Sequence, residues 1–487
     1  MTPVTADSEP SISAVPQMKL SGHRDPSPLL ILALLFLIYN ANLRLVRIDD
    51  SLPARLLPFT FLLDHSIYLD RWLNPYLPSV HGPFGVYFAA RYHQHWISSY
   101  PLITPLIVTP LYVLPAWWLA HLRPVPVPGD IVLVALIDVM EKLNSSLLAA
   151  LSGAVLYSAL RRVVPAVAAV VIALTYGVAS STWSISSQAL WKHGLEELCF
   201  AVLLWALIAD DGRRRFAIIA GVAAAAAASN TPPFGLLALL LAAVFRRRRE
   251  RLAAYLVPVV LIGGATLIYN HHFFGRLIGP YVNPIHPSDY LIYRNYRTPF
   301  FESVLGMLIS PSRGILVFSP WVIFALWGSV KALRSRQHPW VPWIVAALVF
   351  VFAGYARYSV WWAGWCYGPR YLTDFLPFFA FFLACMWDHL ESRRALKAMF
   401  VAAVVFSVAV QAIGAFNYRL RWDALPISVD RAPQRLWDWR DNQIWRTYRD
   451  GRGVPVLYDQ FLMLLAAERA NLSMRTPAAR PPIANHG

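Results

Sequence analysis

Two adjacent carboxylates, Asp49 and Asp50, directly follow the first apolar segment of the chain. Carboxylates at a membrane border are costly to bury, so their presence there points to a function. A carboxylate in such a position could take a proton from a hydroxyl group and act as a general base. The simpler alternative is a solvated helix end, in which Arg47 and Arg55 neutralise the pair.

Basic side chains at the borders of later apolar segments could bind an anion such as a phosphate group. Lys192 and His193 end a segment rich in hydroxyl groups, while Arg313 and Arg370 lie in short turns that contain Gly and Pro. Arginine suits two-pronged contact with phosphate, and lysine acts as a point charge. The same side chains could instead reach towards lipid headgroups, and the sequence leaves both interpretations open.

Aromatic and amide side chains accompany these charges. The Trp-rich turn at 361–371 is suited to form an aromatic wall for a sugar ring, although tryptophan at a membrane interface is ordinarily part of an aromatic belt. The Ser-Ser-Tyr-Pro sequence at 98–101 could likewise be only the start of a helix. The residues that we expect to line a substrate site are Tyr100, Gln188, Trp362, Trp365 and Tyr367.

Several common catalytic signatures are missing from the sequence. It contains no Walker loop, Rossmann glycine fingerprint or His-Glu-x-x-His motif, which argues against nucleotide-driven transport and zincin chemistry. The three cysteines are widely spaced and odd in number, so they predict neither a disulfide framework nor a metal cluster.

The composition requires that all these residues be held by membrane helices. Of the 487 residues, 57% are hydrophobic and 14% are charged, whereas soluble domains carry about 25% charged residues. Apolar stretches long enough to cross a bilayer recur along the chain. We therefore predict an all-α polytopic membrane protein with about 11–13 transmembrane helices and a long first extracytoplasmic loop.

The basic residues are distributed in a way that predicts the orientation of these helices. The formal net charge is +16, and Lys/Arg clusters fall in every second loop, which places those loops in the cytoplasm. Most of the charge therefore reflects topology, and no nucleic-acid partner is needed to explain it. The clusters lie at 161–162, 213–215, 246–251, 331–336 and 393–397.

We divide the chain into three parts. Residues 1–27 form a disordered cytoplasmic leader, and 28–416 form the transmembrane domain, whose first extracytoplasmic loop covers 47–100. Residues 417–487 form a short extracytoplasmic or interfacial tail. Its interleaved Trp and Arg residues at 435–446 are typical of a segment that lies on a membrane surface.

One apolar stretch does not fit a single ordinary span. As a helix, residues 131–160 would be about 45 Å long, which exceeds the hydrocarbon thickness. We therefore expect either two short spans or a helix broken near 141–144, where charged and amide residues interrupt the apolar pattern.

These motifs, in this order, resemble the GT-C superfamily of membrane glycosyltransferases, in particular its bacterial protein mannosyltransferase-like and aminoarabinose transferase-like branches. Asp49-Asp50 is similar to the acidic motif of the first extracytoplasmic loop in that superfamily. The Ser-Ser-Tyr-Pro, Gln188–Gly194, Ser310–Gly314 and Tyr367–Tyr371 segments are similar in style. The resemblance covers roughly residues 28–416.

The resemblance implies an inverting transferase in the inner (plasma) membrane, with its active site on the extracytoplasmic side. The donor would be a polyprenyl-phosphate sugar, and the acceptor an envelope glycan, lipid or protein. Asp50 or Asp49 would be the base, with Asp50 preferred because the following Ser51-Leu-Pro turn could fix its side chain. The residues expected at the donor phosphate are Lys192, His193, Arg313 and Arg370. No cofactor is required, and a divalent cation bridging carboxylate and phosphate is compatible with this scheme.

Two other functions compete with a transferase. A polytopic transporter or lipid flippase would use intramembrane charges to line a path, and inverted repeats with interrupted helices would favour it. An assembly subunit would use the same charges only at interfaces. Convergence of the aspartates and cations at the membrane border favours transfer, whereas dispersal favours a scaffold.

Overall fold

The computed structural model describes residues 25–74, 87–123, 126–127, 129–279, 299–358 and 360–475. Most of the expected leader, part of the first loop and the end of the tail lie outside these residues. Within them the chain is helical apart from one antiparallel hairpin, in which β1 (Ala89–Tyr92) pairs with β2 (His95–Ser98). The predicted all-α class is confirmed.

The helices of the first half run from the first apolar segment to the helix that begins within the arginine cluster at 246–251. They are α1 (Ser27–Asn40), α2 (Leu52–Leu63), α3 (Asp70–Leu73), α4 (Ile103–Val108), α5 (Val113–His121), α6 (Ile131–Leu160), α7 (Ala166–Val178), α8 (Lys192–Ile208), α9 (Arg214–Asn230), α10 (Gly235–Phe245) and α11 (Arg249–Phe274).

The second half contains further apolar helices and a folded tail. Its helices are α12 (Phe300–Ile309), α13 (Ile315–Phe318), α14 (Val322–Ser335), α15 (Val341–Arg357), α16 (Leu376–Ser392), α17 (Arg394–Asn417), α18 (Arg421–Ala424), α19 (Gln443–Arg449) and α20 (Val456–Arg475). Short 3-10 or π turns join several of them, and two of these turns, Asp49–Ser51 and Arg370–Phe375, carry site residues.

Helix length and composition agree with a membrane protein. Four helical stretches within the described residues are long and apolar enough to cross a bilayer: Ile103–His121, Arg249–Phe274, Arg370–Ser392 and Arg394–Asn417. Several shorter apolar helices accompany them. The total of 11–13 spans stays a prediction, because many of the apolar helices are shorter than a full crossing.

The helices pack closely where one of them carries a small residue. α6 packs on α8 and α1, α9 packs on α8 and α11, and α14 packs on α16. At the last crossing, a Cβ added to Gly328 would lie 1.9 Å from the carbonyl oxygen of Phe382. Glycine at this position therefore sets the distance between the two helix backbones.

The prediction that the 131–160 stretch is divided or broken is wrong. α6 runs without interruption from Ile131 to Leu160, and its N-cap Asp130 accepts a hydrogen bond from the backbone N–H of Val132. Most of the polar residues in its middle are buried and have partners on other elements: Asp138 and Glu141 accept from Arg55, and Lys142 donates to Gln188. Because those partners satisfy the polar side chains, the helix does not need to open around them.

The tail is more structured than a segment lying on a membrane surface. Trp422 and Leu436 are buried, whereas Trp439 and Trp445 are exposed. The Ser310 hydroxyl donates to the backbone oxygen of Leu436 at 2.6 Å, and α20 packs along α6. The described part of the tail thus folds back onto the helical domain.

Candidate active site

Asp50 lies at the centre of a small polar cluster. Its Oδ2 accepts a hydrogen bond from Nη2 of Arg370 at 2.5 Å, and its Oδ1 accepts one from the Tyr87 hydroxyl at 2.8 Å. The side chains of Asp50 and Arg370 keep 14% and 10% exposure, so the ion pair reaches the surface. The Tyr100 hydroxyl also contacts this carboxylate.

The two neighbouring aspartates have opposite electrostatic environments. Burial alone would raise the pKa of Asp50, but the charge of Arg370 and the hydrogen bonds to the carboxylate outweigh it and lower the pKa below the usual value. Partial desolvation and the negative charge of Asp50 raise the pKa of Asp49. Asp49 is exposed, and among the described residues its carboxylate has no ion-pair partner within 4.0 Å.

The arginines that flank the aspartates in sequence are bound elsewhere. Arg47 donates from Nε and Nη2 to Asp138 of α6, at 3.0 and 2.6 Å. Arg55 bridges Asp138 and Glu141, with its Nη1 at 3.1 and 2.7 Å from their oxygens. The aspartate pair is therefore not a solvated helix end neutralised by Arg47 and Arg55, because the ion pair of Asp50 comes from Arg370.

The chain turn before Arg370 sets the direction of its side chain. Gly368 has a positive φ of 73°, and an added Cβ would lie 2.6 Å from the Phe318 ring. The backbone N–H of Arg370 then donates to the Gly368 oxygen at 3.0 Å. The guanidinium carbon lies 4.5 Å from the centre of the buried Trp191 ring, a cation–π contact.

Two fully buried residues lie behind Arg370. Its Nε donates to Nε2 of His193 at 3.2 Å, and Nδ1 of His193 is 2.6 Å from Oδ1 of Asp374. His193 and Asp374 are each 0% exposed. The chain Asp50–Arg370–His193–Asp374 therefore runs from the surface into the protein.

Lys192 is adjacent to this chain. It is the first residue of α8 and is half-buried. Its charge acts on both His193 and Glu196. Of the four predicted phosphate-binding residues, Lys192, His193 and Arg370 are thus brought together.

Arg313 lies in a different environment. Its guanidinium donates to Asp423 and Gln443 at 2.6 and 2.7 Å, and to the backbone oxygens of Ser312, Trp362 and Gly364. These contacts use all five of its N–H groups. Arg313 thus ties the tail to the helical domain and has no donor left for a ligand.

Of the residues predicted to line a substrate site, some lie near Asp50 and others do not. Tyr100 reaches Asp50, and Trp365 is half-buried. Gln188 is buried and accepts from Asn42 and Lys142 at 2.7 and 2.8 Å.

Two more of these residues belong to the packed interior. The buried Tyr367 donates to the Val410 oxygen at 2.9 Å, and the buried Trp362 donates to Asp430 at 2.9 Å. With Gln188 they are interior contacts, and the structure does not bring them to Asp50.

Three residues of the cluster were missed from sequence: Tyr87, Trp191 and Asp374. Trp191 stands directly before Lys192 in a motif already singled out, so its position was a usable signal. Tyr87 and Asp374 carry no such mark. The described residues include no group of three or more His, Cys, Asp or Glu residues able to hold a metal ion.

Fold and site together define a class: a helical membrane protein in which one of two adjacent aspartates, Asp50, forms an ion pair with Arg370 near the ends of apolar helices. No family model and no curated protein matches the sequence. Among solved structures, the chain is similar to ArnT from Cupriavidus metallidurans, crystallised with undecaprenyl phosphate bound. The identity is 17% over 92% of this chain and 72% of that chain, with a TM-score of 0.45. Similarity at this level assigns neither a family nor a substrate.

Proposed function

We propose that the protein is a GT-C-type membrane glycosyltransferase that transfers a sugar from a polyprenyl-phosphate donor to a hydroxyl acceptor at the extracytoplasmic face of the inner membrane. The meeting of Asp50 with Arg370, 320 residues apart in sequence, carries this proposal. Arg47 and Arg55 bind Asp138 instead, so the cluster is not explained by local charge balance. The motif resemblance points to the same chemistry.

In the proposed reaction the acceptor oxygen attacks the anomeric carbon from the side opposite the phosphate. As this carbon–oxygen bond forms, the bond from the anomeric carbon to the phosphate oxygen breaks, and its electron pair leaves with the polyprenyl phosphate. The hydroxyl proton passes to a carboxylate. The phosphate needs no acid to leave, and a single displacement inverts the anomeric centre.

The environments of the two aspartates favour Asp49 as the base, although the turn after Asp50 had favoured Asp50. A base must be accessible and must bind the proton it removes. Asp49 is exposed and its pKa is raised, whereas the pKa of Asp50 is lowered by its ion pair. In this scheme Asp50 holds Arg370, and Arg370 with Lys192 offsets the charge on the departing phosphate.

A divalent cation stays a prediction in this scheme. The described residues offer no group of three suitable ligands, so every step above uses only the protein's own side chains. Chelation with EDTA, followed by addition of Mg²⁺ or Mn²⁺, tests whether transfer needs a metal. The identities of the sugar and of the glycan, lipid or protein acceptor are determined by the same transfer assay with different substrates.

The experiment that tests the proposal is sugar transfer in membranes supplied with a polyprenyl-phosphate sugar. We expect Asp49→Asn to lower the transfer rate by about 10²- to 10⁴-fold, the usual contribution of a general base. The double variant with Asp50→Asn should be at least as slow. Glu302→Gln, which changes an exposed carboxylate of α12, is the matched control and should transfer normally. Full transfer by the double variant would end the proposal.

A transporter or lipid flippase is the second candidate, and the interrupted helices favour it. α4 and α9 both end at turns that contain proline, and Thr104 of α4 donates to Asn230 of α9 at 2.8 Å. Asn230 in turn donates to the buried Glu196 at 2.7 Å. Interrupted helices that meet at a buried polar site are typical of transporters. Movement of a fluorescent polyprenyl phosphate across vesicles without sugar transfer would favour this candidate.

A further inference from the structure

The hydrogen bonds around His193 fix which of its ring nitrogens carries the proton. Nε2 faces the Nε–H of Arg370 at 3.2 Å, and arginine can only donate. Nε2 must therefore accept, so the ring proton is on Nδ1 and is donated to Asp374 at 2.6 Å. The histidine in this arrangement is neutral, with Asp374 selecting its tautomer.

Burial separates His193 and Asp374 from any substrate. Both are 0% exposed, while Arg370 and Asp50 retain some surface. A phosphate group at the surface could contact Arg370, but it could not contact the two residues behind it. His193 can thus influence a bound phosphate only through Arg370.

Three contacts from two separate segments of the chain restrain the Arg370 guanidinium. His193 at the start of α8 holds its Nε edge, Asp50 holds Nη2, and the Trp191 ring lies against its face. A planar guanidinium held at an edge, an end and a face has little freedom to rotate. Preorganisation of this kind increases the effect of a cation on a developing charge.

We propose that His193 and Asp374 are positioning residues, which hold the Arg370 guanidinium towards Asp50 and the donor phosphate. This inference rests on the proposed function and revises the expectation that His193 itself contacts phosphate. Asp374 fixes the histidine tautomer, and the histidine fixes the Nε edge of Arg370.

The test compares two substitutions of similar size, of which only glutamine can accept a hydrogen bond. In His193→Leu the acceptor is lost, and misplacement of Arg370 should raise the KM for the donor roughly 10- to 100-fold. In His193→Gln the side-chain carbonyl can take the position of Nε2, so most of the affinity should return. A role in packing alone would be served by leucine at least as well as by glutamine.

A double-mutant cycle with Arg370→Lys separates action through Arg370 from any independent role. If His193 acts only through Arg370, His193→Leu should change the donor KM and the binding of undecaprenyl phosphate by less than about twofold once Arg370 is lysine. Asp374→Asn, nearly identical in shape, enters the same cycle if His193→Leu fails to fold. His338→Leu, outside the site, is the control for loss of a histidine ring.

The outcomes are distinct. Loss of donor affinity in His193→Leu, recovery in His193→Gln and no further loss in the Arg370→Lys background support positioning. Equal effects of leucine and glutamine, or additive effects in the cycle, overturn it while leaving the glycosyltransferase proposal intact. Wild-type protein that neither binds undecaprenyl phosphate nor transfers sugar overturns both.

Discussion

At the residue scale, the central feature is the difference between two carboxylates that are adjacent in sequence. Asp50 is fixed by Arg370 and Tyr87, while Asp49 is exposed beside it. The ion pair keeps Asp50 ionised, and the resulting negative charge makes Asp49 a stronger base. The charge of Asp50 thus contributes to the raised pKa of Asp49.

The effect of Asp50 on the pKa of Asp49 predicts that the pH profile of sugar transfer shifts when Asp50 is replaced. Asp49 must be ionised to accept a proton, so the rate should fall as the pH drops through its raised pKa. In Asp50→Asn the neighbouring negative charge is absent, the pKa of Asp49 falls, and the acidic limb of the residual activity should move to lower pH. The measurement is the rate–pH profile of each protein, with Glu302→Gln keeping the wild-type limb. An acidic limb that stays in place or moves upward would contradict the assignment.

The sequence identified the members of this cluster that are ionisable and lie at the predicted borders of apolar segments, namely Asp49, Asp50, Lys192, His193 and Arg370. It could not separate Arg370 from Arg313, because both lie in Gly- and Pro-containing turns and differ only in what the fold places around them. Asp374 was missed because it precedes an apolar helix without any local motif. Its role depends on a histidine 181 positions away.

At the element scale, the polar middle of α6 is a structural crosslink. Asp138 accepts hydrogen bonds from Arg47 and Arg55 of the first loop and, at 2.7 Å, from Gln460 of α20. The sequence suggested a broken helix here because charges in an apolar stretch ordinarily end it. Partners from two distant parts of the chain cannot be read from the local pattern.

The two arginines bound to Asp138 should contribute unequally to stability. Arg55 is 8% exposed and bridges two carboxylates, whereas Arg47 is 58% exposed. Arg55→Gln leaves buried charge unpaired and should cost roughly 3–5 kcal/mol. Arg47→Gln should cost about 1 kcal/mol or less. Thermal unfolding of both variants in detergent measures the difference, and equal Tm values would refute it.

The crossing of α14 and α16 makes a second prediction at this scale. Gly328→Ala would place a methyl group against the Phe382 carbonyl, and the helices would have to separate, at a cost of about 1–3 kcal/mol. Gly264→Ala is the matched control, because nothing lies within 4 Å of an added Cβ there. The Tm should fall only for the first variant, and an unchanged Tm would mean that this crossing tolerates a wider spacing.

At the scale of the whole molecule, a buried ion pair is one of the contacts that hold the tail to the helical domain. Arg313 pairs with Asp423 at 2.6 Å, and both side chains are almost completely buried. The tail was expected to lie on the membrane surface because tryptophan and arginine alternate in it. That composition is equally compatible with a folded module, and buried contacts such as that of Asp423 with Arg313 show that the described part of the tail is folded. Its position at the membrane surface stays a prediction.

Arg313 and Arg370 should therefore respond differently to substitution. Arg313→Gln removes a buried ion pair and should lower the Tm, while the protein that stays folded binds undecaprenyl phosphate within about twofold of wild type. Arg370→Gln should weaken that binding with a smaller change in Tm. Lipid binding and thermal unfolding measured on both variants check this, and loss of binding without loss of stability in Arg313→Gln would contradict the assignment.

The long separation between Asp50 and Arg370 also bears on the biosynthesis of the protein. At a typical rate of 5–20 residues per second, the ribosome needs roughly 15–60 seconds to reach Arg370 after it has made Asp50. Gln460, which holds Asp138 against α20, is made later still. The aspartates are therefore made long before their cation, and the ion pair between Asp50 and Arg370 can form only after the chain has been made as far as residue 370.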